Sequence, residues 1–246
     1  MFRHSGKTRT LNHNKKIASL LSFVAGVVNV AGFISVQRLT TNVTGHFAFF
    51  VDEVFKLQWS RSLVYFLYIL FFFLGSFISS LLVEMIMRKN ERFVYIIPGL
   101  FESLILLSVA MAGPYLVSGY ADLIACSLLF AMGLQNSLVT RISGAMVRTT
   151  HLTGLFTDLG IEISQLFFYK RKEQKNKLLA TIRLRLRIIA FFFLGGIAGG
   201  VLYTYFGFYA LGVPAALLIG GLYYDGLKLQ LIKLKRRHEL RQEKYS

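Results

Sequence analysis

The chain has 246 residues, of which 54% are hydrophobic and 15% aromatic, and its mean hydropathy of +0.55 excludes an ordinary soluble domain. Its formal net charge of +16 would suit a nucleic-acid-binding protein, but the charges flank long apolar runs, so we expect a membrane protein with no nucleic-acid partner. The single cysteine, Cys126, excludes an internal disulfide and a thiolate metal cluster.

Six apolar runs follow one another along the chain, each about long enough to cross a bilayer as a helix. They cover residues 17–37, 62–87, 93–113, 120–140, 188–206 and 208–224. We therefore predict a basic cytoplasmic N-terminus over 1–16, a single membrane domain over 17–227 and a basic cytoplasmic tail over 228–246. A hydrophilic cytoplasmic loop is predicted over 170–187.

Basic residues are distributed very unequally between the two sides of this arrangement. With the N-terminus inside, the inner segments hold 25 lysines and arginines, and the outer segments hold three: Arg38, Lys56 and Arg61. This bias predicts that both termini are cytoplasmic and that the inner surface attracts anionic lipids. A count of seven or eight spans would place the basic segments on mixed sides, which disfavours it.

The first half of the sequence recurs, altered, in the second half. The run from Thr41 to Phe47 (TNVTGHF) returns as Thr150 to Phe156 (THLTGLF), and Phe71 to Ser76 (FFFLGS) returns as Phe191 to Gly196 (FFFLGG). Gly26 and Asn29 have counterparts in Gly133 and Asn136. Each half, about 17–113 and 120–227, holds three spans, and two copies of an odd-spanning unit must insert in opposite senses. The predicted fold is an all-α bundle of six spans, built as a 3+3 inverted repeat.

An amphipathic segment follows the first span (42–56) and another follows the fourth (149–168). One face of each is apolar and the opposite face carries threonines, acids and amides, which does not suit a helix surrounded by lipid. Each segment either lies flat in the interface or enters the bundle as a half-helix lining a polar cavity. Recurrence of the threonine-rich entry in both halves favours the cavity.

Polar residues in the spans and in these segments are the candidates for a substrate or ion pathway. Hydroxyl, amide and carboxyl groups can coordinate a polar solute or a cation, and a carboxyl group within a span is expected to be paired or protonated. The candidates are Asn29, Thr41, Thr44, Gly45, Glu102, Gln135, Asn136, Thr150, Thr153, Gly154 and Asp158.

Structural roles compete with this hypothesis: a capped helix start for the threonines, a hydrogen-bonded neutral acid for Glu102 and a salt-bridged surface for Asp158 and Glu162. Small residues in the second and fifth spans instead predict close helix packing. These are Gly75, Ser79, Gly195, Gly196, Gly199 and Gly200.

Three segments carry a family resemblance: Gly133 to Asn136 (GLQN), Arg148 to Gly154 (RTTHLTG) and Thr157 to Gly160 (TDLG). They resemble the YoaK-type family of bacterial multi-pass membrane proteins, long described as a domain of unknown function, over roughly residues 17–225. Where such proteins often have Asp-Ala, this chain has Asn29-Val30, and His46 replaces an Asn that often follows the first Thr-Gly. The resemblance implies a bacterial cell-membrane protein and supplies no substrate.

The leading functional hypothesis is a small-molecule or ion transporter working by alternating access, and a homodimer is conceivable. The alternatives are a non-catalytic membrane scaffold or partner subunit, and a membrane-embedded enzyme using His151, Asp158 and Glu162 on a lipid-linked substrate. Because no catalytic, cofactor or metal motif is found, we expect no enzyme activity, no cofactor and no metal.

Overall fold

The computed structural model describes residues 11–88, 94, 96–143 and 149–223. Within these ranges the chain is helical apart from short connections, which confirms the predicted all-α class. The helices are α1 (Leu11–Val36), α2 (Val43–Phe55), α3 (Trp59–Met87), α4 (Ile96–Ser143), α5 (Leu152–Phe168) and α6 (Lys172–Phe206), then a 3-10 helix (Gly207–Leu211) and a last helix over 212–223, here called α7. Several predicted parts of the chain lie outside the described residues. They are residues 1–10 of the N-terminus, residues 89–93 at the start of the third span, Arg148 and the tail from 228.

Four stretches of the described chain are long and apolar enough to cross a membrane: Lys15–Val36, Trp59–Met87, Ile96–Arg141 and Lys172–Tyr223. The first two lie close to the predicted first and second spans. The last two contain 46 and 52 residues, about twice the ~20 residues that a single crossing requires. Each of them therefore has the length for two crossings.

Helix α4 folds back on itself at Tyr120. This residue has non-helical torsion angles (φ −133°, ψ 36°), and the rings of Phe101 and Phe130 lie 6.0 Å apart between centroids. In an unbroken helix the two residues would be separated by roughly 40 Å. The predicted third and fourth spans are thus two arms of one bent helix, 96–119 and 121–143. The predicted break at 114–119 is displaced, because Pro114 is accommodated inside the helix.

The predicted cytoplasmic loop over 170–187 is wrong for most of its length, because α6 begins at Lys172. The prediction relied on polarity alone. Lysine, glutamine, leucine and arginine all have good helix propensity, and Glu173 and Lys177 form an i,i+4 ion pair of 2.7 Å. The fifth predicted span is therefore the second half of a longer helix.

Glycines bring α1 and α6 into backbone contact. A Cβ added to Gly195 would clash with the carbonyl oxygen of Phe23, and one added to Gly199 would lie 2.7 Å from that of Val27. Because the residue numbers rise together along both helices, α1 and α6 are parallel. Helix α1 is more central than α3, since 61% of the most apolar stretch of α1 is buried, against 22% of that of α3.

The same kind of contact joins α3 to the second arm of α4. A Cβ on Gly75 would clash with the carbonyl oxygen of Phe130, and one on Gly133 would clash with that of Phe72. At the far end, Arg141 donates a hydrogen bond to Glu84. From the glycine contacts to this ion pair, the residue numbers rise along both helices, so α3 and the second arm of α4 are parallel.

In contrast, α1 and the second arm of α4 are antiparallel. The side-chain amide of Gln135 donates to the carbonyl oxygen of Leu21 at 2.7 Å, and a Cβ on Gly32 would lie 3.1 Å from Leu128. The residue numbers thus rise along α1 while they fall along α4. The ends of these two helices, Val36 and Ser143, therefore lie at opposite ends of the bundle.

Candidate functional site

The segment between α1 and α2 turns back along α1. Thr40 Oγ1 donates to the carbonyl oxygen of Val28 at 3.1 Å, and Thr41 Oγ1 donates to Asn29 Oδ1 at 2.6 Å. Val28 lies eight residues before the end of α1 at Val36, which is about 12 Å along the helix axis. Helix α2 therefore starts beside the interior of α1 and not at its end.

Asn42 begins α2 as its N-cap, its side-chain oxygen accepting from the backbone N–H of Gly45 at 3.0 Å. The helix then runs back along α3, with the ring of His46 4.7 Å from that of Tyr68 and the ring of Phe49 5.3 Å from that of Tyr65. The threonines do not cap α2. Thr40 and Thr41 anchor its start to α1, while Thr44 is exposed in its first turn.

The second half contains a matching set of hydrogen bonds around the start of α5. Asn136 donates to Thr150 Oγ1. Thr149 is fully buried, accepts from Gln135 Nε2 at 3.3 Å and donates to Asn136 Oδ1 at 3.4 Å. Both Asn–Thr pairs of the sequence repeat are thus in hydrogen-bond contact, and each ties the start of a short helix to the interior of a long one.

The predicted pathway residues form two groups and not one. Asn29 and Thr41 lie with α2, whereas Gln135, Asn136 and Thr150 lie with α5. Helix α1 and the second arm of α4 are antiparallel, with Leu21 beside Gln135 and Gly32 beside Leu128. Asn29 is therefore near the level of Leu128, whereas Asn136 is near the level of Leu21. The two asparagines lie toward opposite ends of the bundle. Gln135 contacts both halves, since its amide nitrogen also donates to Leu21 of α1.

The glycines of the two Thr-Gly elements sit under neighbouring side chains. A Cβ on Gly45 would lie 2.6 Å from Leu39, and one on Gly154 would clash with the ring of His151. Thr153, like Thr44, is exposed. These residues shape the entry into each short helix and make no contact with Glu102.

Glu102 lies on the buried face of the first arm of α4 and has no accessible surface. Neither carboxyl oxygen has a hydrogen-bond partner among the described residues, and the neighbouring Ser103 donates to the carbonyl oxygen of Gly99. An unpaired carboxylate is costly within a membrane, so this group is expected to be protonated.

Asp158 and Glu162 are both bound by Arg185 of α6. Arg185 Nη1 lies 2.8 Å from Asp158 Oδ2, and Arg185 Nε lies 3.0 Å from Glu162 Oε2. The two acids therefore attach α5 to the first half of α6. No group of three metal-binding side chains (His, Cys, Asp or Glu) occurs in the described part of the chain.

Sequence reasoning missed a polar cluster beside α2. Arg38 Nε lies 3.3 Å from Tyr68 Oη and 3.4 Å from Asp122 Oδ1, and Tyr68 donates to Asp122. His46 packs on Tyr68, is 1% exposed and has an unpartnered Nδ1 within the described structure. None of these residues was among the predicted pathway candidates, because the repeat does not duplicate them. A histidine within an otherwise apolar helix face was the available signal.

Burial lowers the pKa of His46, and the positive charge of Arg38 acts in the same direction. The hydrogen bond between His46 Nε2 and the carbonyl oxygen of Leu39 opposes this lowering. His46 is therefore neutral in the folded protein, with the proton on Nε2.

A groove of about 690 Å³ lies where α1, α6 and the first residue of α5 meet. Asn29 lines it on the α1 side, and Gly196 and Gly200 line it on the α6 side. A Cβ on Gly200 would make only ordinary contacts of 3.5 Å or more, unlike one on Gly75, Gly195 or Gly199. Gly200 thus lies where the two helices diverge.

Ser79 of the predicted packing set is fully buried, and its hydroxyl has no partner in the described part of the chain.

Comparisons with known proteins agree with a membrane location. The chain is 25% identical over 225 residues to the UPF0700 transmembrane protein YoaK of Bacillus subtilis (strain 168), an alignment covering 88% of this chain and 96% of that protein. No solved structure matches this chain. The family model described as "Protein of unknown function (DUF1275)" matches residues 17–224. The chain is therefore a membrane protein that belongs to the DUF1275 family, in agreement with the resemblance found in its sequence.

Proposed function

We propose that this protein is a small-molecule or ion transporter that works by alternating access. The main observation in its support is that α2 and α5 each begin beside the interior of a long helix, where an Asn–Thr hydrogen bond holds the start of the short helix. Short helices that end inside a membrane bundle are tolerated where they line a cavity, and in secondary transporters they form the substrate site.

A 3+3 inverted repeat is part of this proposal. Its support is that equivalent glycines pack against equivalent phenylalanines in the two halves. The contact of Gly26 with Phe192 is matched by that of Gly133 with Phe72. The contact of Gly195 with Phe23 is matched by that of Gly75 with Phe130. The equivalent helices α1 and the second arm of α4 run antiparallel, as inversion requires. The spans would be α1, α3, the two arms of α4, α6 and α7.

The orientation and surroundings follow from the charge distribution. We place both termini in the cytoplasm of a bacterial cell, with the basic inner surface against anionic lipids. In this orientation α2 enters from outside and α5 from the cytoplasm, so the Arg185 ion pairs with Asp158 and Glu162 hold the inner short helix. A homodimer remains a prediction.

The two alternatives have less support. A membrane-embedded enzyme would need Asp158 and Glu162 as acid–base groups, but both bind Arg185, and the ring of His151 packs over Gly154. A scaffold needs no polar groups at the starts of two inserted helices. A transporter accounts for these groups and for the unpaired Glu102, to which we assign proton or cation coupling.

Proteoliposomes test the proposal without the choice of a single substrate. Purified protein would be exposed to a bacterial small-molecule extract under an imposed pH gradient, and the solutes retained inside would be identified by mass spectrometry. We expect at least one solute to accumulate above the level in protein-free vesicles. Glu102→Gln, which keeps the side-chain shape, should abolish accumulation driven by the gradient.

Control variants separate coupling from transport. Glu173→Gln removes an exposed acid outside the bundle interior and should leave accumulation unchanged. If accumulation survives in Glu102→Gln, the coupling role of Glu102 is wrong while transport stands. If no solute accumulates with the folded wild-type protein, the scaffold alternative is favoured.

A further inference from the structure

The groove between α1 and α6 has almost entirely apolar walls. Its floor is the backbone of Gly196 and Gly200 together with Val30, whose side chain would lie 3.1 Å from a Cβ on Gly196 and 3.5 Å from one on Gly200. Because neither glycine has a side chain, the floor is a shallow, open channel along α6. The volume of about 690 Å³ falls within the range typical of small-molecule sites.

One polar group with unused hydrogen-bonding capacity lines this channel. Asn29 Oδ1 accepts from Thr41, whereas its amide nitrogen has no partner among the described residues. Thr204, which also lines the groove, uses its hydroxyl hydrogen on the carbonyl oxygen of Gly200. The groove therefore offers one donor group and a long apolar surface, which fits a ligand with an acceptor at one end and a hydrocarbon body.

The rim of the groove indicates where such a ligand comes from. Phe193, Ile197 and Val201 line it and are 54%, 66% and 52% exposed. They lie on α6 within an apolar stretch of membrane-spanning length. Exposed apolar side chains of a spanning helix face hydrocarbon, so the groove opens laterally to the bilayer interior and not only to water.

We propose that this groove binds a single-chain amphiphile dissolved in the bilayer, of the fatty-acid type, with its head group at Asn29 and its chain along Gly196 and Gly200. The chain would bury the apolar walls, and the head group would accept from the Asn29 amide. Binding does not depend on transport, so this proposal and the proposed function can fail separately.

A photoreactive fatty acid carrying a diazirine in its chain is the probe. It would be added to the full-length protein in nanodiscs and activated by light, and the labelled peptides would be mapped by mass spectrometry. We expect saturable labelling of α1 and α6 peptides that line the groove, displaced by excess unlabelled fatty acid but not by a phospholipid with the same chain. Equal displacement by the phospholipid, or non-saturable labelling over all exposed apolar helices, would overturn the proposal.

Two glycine variants make the test specific. Gly200→Leu fills the groove without a backbone clash, and Gly220→Leu places the same side chain on an exposed position of α7 where nothing lies within 4 Å. We expect Gly200→Leu to weaken labelling by roughly tenfold and Gly220→Leu to leave it unchanged, with both proteins eluting as folded species. Equal labelling in the two variants would refute a site in this groove.

Discussion

His46 illustrates how one residue can be constrained from several sides. Its ring lies against Tyr68, its Nε2 hydrogen bonds to the carbonyl oxygen of Leu39, and its Nδ1 has no partner within the described structure. Tyr65 and the Arg38–Asp122 ion pair lie close by. Protonation would place a buried N–H without an acceptor near a guanidinium group, so the fold favours the neutral ring.

This arrangement predicts a pH-dependent stability. An unfolded histidine titrates near its ordinary pKa of 6.5, whereas the pKa of His46 in the fold is lower. Between the two values the unfolded chain binds a proton that the folded chain does not, so stability should fall as the pH drops below about 6.5. We expect the melting temperature to fall, measured by thermal unfolding in detergent from pH 8 to pH 5.5.

The variant His46→Asn should remove most of this pH dependence, since asparagine does not titrate and can still donate to Leu39. A slope unchanged in His46→Asn would show that other groups cause it.

Gly195 and Gly220 are both glycines in helices, yet their surroundings predict opposite effects of substitution. Gly195→Ala would drive a methyl group into the backbone of α1 at Phe23, so we expect a loss of roughly 1–3 kcal/mol. Gly220→Ala meets open space and should be neutral or slightly stabilising. Denaturation of both variants in the same detergent compares them, and similar stabilities would contradict the close helix contact.

Among the elements, α5 is joined to α6 by the Arg185 ion pairs and buries Leu155 and Leu159 in the core, whereas α2 packs on α3 through aromatic rings. Glu53 is the repeat counterpart of Glu162, but one of its carboxyl oxygens is buried and unpartnered within the described structure. The two short helices therefore have similar positions and different attachments.

Removing the charge of Arg185 should release α5 selectively. Arg185→Gln leaves Asp158 and Glu162 without their partner, and we expect roughly 1–3 kcal/mol less local stability. Hydrogen–deuterium exchange should speed up in α5 and not in α2. Arg183→Gln, two residues away and exposed, is the charge-matched control, and equal exchange in both variants would argue against the ion pairs as the attachment.

The elements also show what could be predicted from sequence. Apolar runs and the repeat were sufficient to locate the long helices and the two short helices, because each depends on local composition or on duplication. The repeat also marked Asn29 and Asn136 as equivalent positions, but their hydrogen bonds to Thr41 and Thr150 were found only in the fold. The bend was displaced to Tyr120 and the start of α6 was missed, because helix continuity depends on propensity and packing more than on polarity. The Arg38–Tyr68–Asp122 cluster joins the α1–α2 connection to α3 and α4, which only the tertiary fold brings together.

At the scale of the whole molecule, close contacts at glycines connect the two halves of the chain. Gly26, Gly75 and Gly113 pack against residues beyond Tyr120, and Gly133, Gly195 and Gly199 pack against residues before it. Neither half can complete these contacts by itself.

Division of the chain between Gly119 and Tyr120 should therefore give two fragments that depend on each other. Both residues are exposed, and a Cβ on Gly119 would meet nothing within 4 Å, so the cut itself should cost little. We expect co-expressed fragments 1–119 and 120–246 to co-purify through a tag on one of them. Either fragment expressed alone should aggregate or be degraded, and a stable monomeric fragment would contradict the interdependence.

The glycine faces of each half find their complements on the other half, and the equivalent helices run in opposite directions. An ancestral protein with only one half would have needed a second copy of itself inserted upside down. Gene fusion near Tyr120 would have fixed both orientations in one polypeptide.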